Sequence, residues 1–184
     1  MKYLQENHII HRDLACRNVL VTKDSDGKYV AKISDFGLSR APEDDYYCTD
    51  DKTMPVKWTA IEAIQYGLYT SKSDVWSFGV CLWYLTETTI NVTIRELFSY
   101  GLIPYQGMSN AETIRNVTTG YRMESPIDCP EEVYQVMLQC WNSNPDVRPS
   151  FSELAEKFDA WGATQQIATI MANPIIVNEE DYNN

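Results

Sequence analysis

The sequence predicts an α+β fold, mainly α-helical, with one small β hairpin near its start, and three observations carry that prediction. Two short β-branched runs, 18–22 and 28–34, flank the turn tetrad Asp24-Ser25-Asp26-Gly27, which reads as a hairpin. From Ser73 onward the apolar residues recur at helical spacing. Two capping boxes, Ser109 with Glu112 and Ser150 with Glu153, stand at the heads of amphipathic runs. A further helix is expected to open at Pro130-Glu131-Glu132, with proline and two acids at the positive end of the helix dipole. No other strands are expected, and residues 162–184, where Gly, Thr, Gln, Asn and Glu take over, read as a tail.

The chain has 184 residues, the size of one ordinary domain, and its 44% hydrophobic and 22% charged residues argue against disorder or low complexity. Fifteen Lys and Arg against 26 Asp and Glu give a net charge of −11, which excludes non-specific nucleic-acid binding as a function. Much of the imbalance has an address: residues 43–52 carry a net −4 and residues 151–184 a net −5. The longest apolar stretch, 78–85, is too short to span a bilayer. The cysteines Cys16, Cys48, Cys81, Cys129 and Cys140 are odd in number and contain no CxxC pair, so neither a disulfide framework nor a zinc site is expected. With no signal pattern at the first residues, a cytoplasmic location is the expectation.

Chemistry concentrates near the N-terminus. The run His11-Arg12-Asp13-Leu14-Ala15-Cys16-Arg17-Asn18 puts an acid five residues before an amide, and Asp35-Phe36-Gly37 follows directly behind the second strand. Phosphoryl transfer needs a carboxylate to orient and accept the proton of the attacking hydroxyl, and oxygen ligands to hold magnesium on the phosphates. Asp13, Asn18 and Asp35 supply that set, and the two motifs in this order, with a hairpin between them, form a specific signature.

On these motifs the sequence resembles the eukaryotic protein kinases, and their tyrosine-specific branch in particular. The likeness continues through Pro55-Val56-Lys57-Trp58, Ser73-Asp74-Val75-Trp76-Ser77-Phe78-Gly79, Cys140-Trp141 and Arg148-Pro149. Ala15 stands where serine/threonine kinases usually carry lysine, and Arg17 stands four residues after Asp13, as in tyrosine kinases. The resemblance implies a protein-kinase-like fold, with residues 1–161 as its mainly α-helical C-terminal lobe and 162–184 as an acidic tail. It implies ATP and Mg2+ as cofactors and tyrosine-containing proteins as substrates. Asp13 becomes the catalytic base and Arg17 its helper, Asn18 and Asp35 the magnesium ligands, and Leu20 the floor of the adenine site. His11 and Phe36 would stack together, and Arg12 would pair with a phosphotyrosine at Tyr46 or Tyr47 in the acidic activation segment. Asp74 is expected to hold the catalytic loop, and Glu62 to pair with Arg148. The Pro55–Trp58 stretch is similar to a substrate-docking loop.

Several features depart from the family pattern. No two glycines stand two residues apart, so the Gly-x-Gly-x-x-Gly loop that covers ATP phosphates is absent from these residues, and Val30-Ala31-Lys32 is a decoy of the nucleotide lysine. The expectation is a lower lobe without its upper one. Ile61 stands where the family has proline before Glu62, which predicts a modest local loosening. Residues 84–95, rich in Thr, Ile and Val, interrupt the match. They are either a surface excursion after the central helix or a gene-model artefact, and sequencing the transcript decides between these. In the tail, Tyr182 behind three acids resembles a ligand of phosphotyrosine-reading adaptor domains. The leading expectation is a protein-tyrosine kinase catalytic fragment in signal transduction, and the rival is a truncated, inactive kinase acting as a docking or scaffold protein.

Overall fold

The structure, a computed structural model, describes residues 1–27, 29–50, 53–90, 103–127 and 129–162. Among these, short helices and strands at the start give way to a helical body. Helix α1 (Lys2–Glu6) leads into the loop that carries His11 to Asn18, whose end winds into one 3-10 turn, Cys16–Asn18. Strands β1 (Val19–Lys23) and β2 (Tyr29–Ile33) follow as the expected antiparallel hairpin, with Val19 opposite Ile33 and Lys23 opposite Tyr29. Its turn is set by the Asp26 amide donating to Asp24 Oδ1 and by Gly27 at φ 77°, a conformation that favours glycine.

A second sheet was not expected from the sequence. Strand β3 (Tyr46–Cys48) pairs antiparallel with β4 (Leu68–Thr70), Tyr47 opposite Tyr69. Three-residue strands are too short to show the period-two alternation by which a strand is recognised. Between them lies α2 (Ile61–Tyr66), which ends on Gly67 in the left-handed conformation at φ 64°. A side chain there would also strike the Thr49 carbonyl, with Cβ at 1.9 Å from its oxygen. Ile61, which replaces the expected proline, is buried at the first position of α2, where its amide needs no intrahelical partner.

The body is built on α3 (Ser71–Ile90), with Val75, Trp76 and Val80 fully buried, packed against α5 (Glu131–Cys140). Gly79 permits that approach, since a Cβ there would lie 2.7 Å from Cys140 Cβ and 2.8 Å from Trp141 Nε1. Helices α4 (Asn110–Thr118) and α6 (Phe151–Gly162) start at the two predicted capping boxes. Glu112 and Glu153 each accept from the amide of their serine, whose hydroxyl accepts in return. Pro130 precedes α5 as its N-cap rather than lying within its first turn.

Of the interrupting segment at 84–95, the structure describes the first seven residues, and these continue α3 to Ile90. Tyr84 and Thr86 are buried, and Thr86 Oγ1 donates to the carbonyls of Leu82 and Trp83 at 3.0 Å each. Tyr84 falls on the face already buried by Ser77, Val80 and Cys81, so packing outweighs the weak helix propensity of the segment. Residues 91–95 and Tyr182 lie outside the described residues.

Candidate active site

The loop before β1 is fixed from below by one carboxylate. Asp74, 1% exposed near the start of α3, accepts from the His11 amide at 2.7 Å through Oδ2 and from the Arg12 amide at 3.0 Å through Oδ1. Burial pushes its carboxyl up to about 7, against the pull of those two amides and of the Arg12 charge. Arg12, at φ 70°, and Asp35, at φ 58°, both adopt a left-handed backbone that non-glycine residues avoid, and both sit in the predicted motifs.

Above that anchor the expected site residues come together. The Asp13 carboxylate accepts from Arg17 Nη2 through one oxygen and from Asn18 Nδ2 at 3.0 Å through the other. Asn18 Nδ2 also donates to the Asp13 carbonyl at 2.8 Å, so the loop closes on itself. The Asn18 carbonyl accepts from the amide and the hydroxyl of Ser34, at 2.8 and 3.0 Å, which places Asp35 directly beyond the loop. His11 Nε2 contacts the Ser34 carbonyl at 3.0 Å, and the His11 and Phe36 rings meet edge to face at 5.1 Å, as expected.

Two faces of this arrangement differ. On one side, Arg17 lies 5.5 Å from the Trp58 ring, bringing the Val56–Trp58 turn beside Asp13, and Ser77 Oγ holds that turn through the Trp58 carbonyl at 2.7 Å. On the other side, Leu20 (58% exposed) and Phe36 (48%) stand open to solvent on and beside the hairpin. With its amide nitrogen committed, Asn18 keeps Oδ1 unpaired among the described residues, and Asp35 keeps Oδ2 while Oδ1 accepts from the Gly37 amide at 3.2 Å. Two hard oxygen donors fit a magnesium ion whose remaining ligands come from phosphates and water. Among the described residues no group of three or more His, Cys, Asp or Glu could hold a metal ion.

Arg12 lies between two tyrosine rings, its guanidinium 4.5 Å from the centroids of both Tyr47 and Tyr69. Its Nη1 donates to the Leu38 carbonyl at 3.1 Å, while its Nε has no partner among the described residues. Hydrogen bonds from Arg40 and Thr49 pull the Tyr47 hydroxyl below its usual range. Tyr46, the neighbouring candidate, is 49% exposed. Further down, Arg148, fully buried, grips Glu62 with two hydrogen bonds of 2.6 and 2.7 Å and donates to the carbonyls of Asn142 and Lys72, both at 2.9 Å.

Three contributors escaped the sequence reading. Ser34 links Asn18 to Asp35, and Tyr69 walls Arg12 from below. Arg40 pairs its backbone with Ile10 at 2.8 and 2.9 Å, tying the segment after Gly37 to the loop entrance. Neither Ser34 nor Tyr69 stands in a motif. Nothing in the local sequence signals the backbone pairing of Arg40 either.

Residues 1–158 match the family described as protein tyrosine and serine/threonine kinase. The chain is 48% identical to human tyrosine-protein kinase Srms over 161 residues, 87% of this chain and 30% of that protein. It is 44% identical to tyrosine-protein kinase Src64B of Drosophila melanogaster over 170 residues, 91% of this chain and 28% of that protein. With human tyrosine-protein kinase Fer it shares 46% identity over 158 residues, 85% of this chain and 17% of that protein. It thus spans less than a third of the length of these relatives.

Proposed function

This chain belongs to the protein tyrosine and serine/threonine kinase family, and from that premise we propose that it is the catalytic-loop half of a protein-tyrosine kinase that passes the γ-phosphoryl group of ATP to tyrosine hydroxyls. The observation that carries the reading is the closed set of Asp13, Arg17 and Asn18, joined through Ser34 to Asp35. Residues 1–161 form the lobe and 162–184 its tail.

In this mechanism Asp13 accepts the proton of the substrate hydroxyl. Arg17 and Asn18 each hold one oxygen of the carboxylate and so fix its orientation, and Arg17 adds a positive charge beside it. Asn18 and Asp35 would hold Mg2+, which would neutralise charge on the phosphates of ATP. Leu20 supplies apolar surface beneath the adenine. The Val56–Trp58 turn lines the approach of the tyrosine, and all of these groups act by positioning and electrostatics.

Regulation follows from Arg12. A phosphate on Tyr47 adds dianionic charge to the acids of 43–51, and the added repulsion is offset where Arg40 and the unpaired Arg12 Nε receive it. Tyr46 is the alternative acceptor. A phosphotyrosine-reading adaptor at Tyr182 is the partner proposed beyond the substrates. No helix among the described residues is long and apolar enough to cross a membrane, and a cytoplasmic site of action suits an ATP-dependent kinase.

The test is phosphate transfer by the full product of the reading frame that contains these residues. Transfer to tyrosine peptides that vanishes in Asp13→Asn supports the proposal; transfer to serine instead, or transfer untouched by Asp13→Asn, contradicts it. Residues 1–184 as an isolated polypeptide hold no Gly-x-Gly-x-x-Gly loop, and are expected to transfer no phosphate by themselves.

A further inference from the structure

We propose that Cys16 and Cys81 form a peroxide-sensitive thiol pair whose disulfide distorts the catalytic loop. Cys16 sits between Asp13 and Arg17 on the 3-10 turn, and Cys81 faces it from α3. Cys16 Sγ donates to the Cys81 carbonyl at 3.6 Å, and Cys81 Sγ donates to the carbonyl of Leu14, two residues before Cys16, at 4.0 Å. The Cys16 sulfur therefore lies over the Cys81 backbone and the Cys81 sulfur over the loop just before Cys16, with the two thiols in hydrogen-bond contact. That side-by-side placement is what a disulfide requires, since bridged cysteines need neighbouring backbones with converging side chains.

The two thiols differ in access. Cys81 is 4% exposed, and the adjoining Cys16 sulfur together with burial pushes its thiol well up. Cys16 is half-buried and therefore the more accessible of the two, so it meets the oxidant first. Its sulfur attacks one oxygen of hydrogen peroxide, giving a sulfenic acid and releasing one water. The Cys81 sulfur then attacks the Cys16 sulfur and displaces its hydroxyl as a second water, so two thiols and one peroxide become one disulfide and two waters. No third thiol is needed.

Closing the bond brings the sulfurs to about 2 Å. Helix α3 cannot follow, because Val75, Trp76 and Val80 lock it in the core, so the three-residue turn moves. Arg17 and Asn18 ride on that turn, and both hold Asp13. The regulatory consequence rests on the catalytic reading of Asp13 and Asn18, whereas the cross-link itself does not.

The experiment treats the reduced 184-residue chain with hydrogen peroxide and reads intact mass, peptide maps and amide hydrogen exchange. The expected result is a loss of about 2 Da, reversed by dithiothreitol, with Cys16 linked to Cys81. The link is absent in Cys16→Ser and in Cys81→Ser and is retained in Cys48→Ser, which removes an exposed thiol. Exchange at the Asn18 and Ser34 amides, which bond to Ala15 and Asn18, should quicken by about tenfold or more. Oxygen adducts on Cys16 without a link, a link through another cysteine, or a link that leaves those amides unchanged would each overturn the proposal. Failure of the kinase reading would show separately, as absent phosphate transfer by the reduced full product.

Discussion

The catalytic loop with its hairpin and the helical body are held together by different forces. The body is apolar and closed: Trp76, Trp141, Val136 and Met137 are at most 1% exposed, and a deeply buried ion pair, Arg148 with Glu62, has its donors satisfied by a carboxylate and two carbonyls. The hairpin is a two-stranded ribbon with Leu20 and Val21 open to solvent, too little structure to stand unaided. What positions its site residues is a set of polar anchors, chiefly Asp74 beneath the loop and Ser34 behind it. Rigidity is generated in the body and exported to the site through a few hydrogen bonds. Changes in the body should therefore cost stability, while changes at the anchors should release the site first.

The largest effect is expected at the buried pair. Arg148→Ala strands the Glu62 carboxylate and two carbonyls, and should destabilise the chain by about 3–5 kcal/mol in urea or thermal unfolding. A loss near zero would mean that the body does not depend on this pair. Next, Asp74→Asn keeps at most one acceptor for two amides and should cost about 1–3 kcal/mol, with the site loosened beyond that global loss.

The same residue predicts a pH dependence. Burial raises the Asp74 carboxyl from an ordinary 3.8 to about 7, so between those values the folded protein keeps a proton that the unfolded chain has released. Its stabilising contribution is complete below pH about 4 and is lost as the pH rises towards 7. Urea midpoints should show that decline, and Asp74→Asn should remove it. A decline of the same size in the variant would assign it to other groups.

Smaller effects sharpen the contrast. Ser150→Ala removes a cap of α6, where the hydroxyl accepts from Glu153, and should cost about 1 kcal/mol without changing exchange in the catalytic loop. Leu20→Ser should change stability by no more than about 0.5 kcal/mol, since the side chain is already exposed. In the full product it should nonetheless weaken ATP binding, and an unchanged KM for ATP would remove Leu20 from the adenine site.

The contrast also explains what could be read in the sequence. The gathering of Asp13, Asn18 and Asp35 in one loop region, the hold of Asp74 on that loop and the pairing of Glu62 with Arg148 were legible because they follow polar residues at motif spacing. The helices with capping boxes were legible for the same reason, as side chains reach backbone within three residues. The β3–β4 pair was not, because its strands are three residues long and are brought together by α2 and Gly67 rather than by local pattern. Nor was the continuation of α3 past Trp83, where the burial of Tyr84 overrides a Thr-rich composition. Sequence pattern reports local choices, and these two were decided by tertiary contact.

Amide hydrogen exchange on Asp74→Asn tests the central claim, that polar anchors export the order of the body to the catalytic loop. Exchange at the His11 and Arg12 amides should rise about 100-fold or more over the parent, while amides of α3 and α5 change only by the global loss of stability. Equal changes in loop and body, or an unchanged loop, would contradict the account.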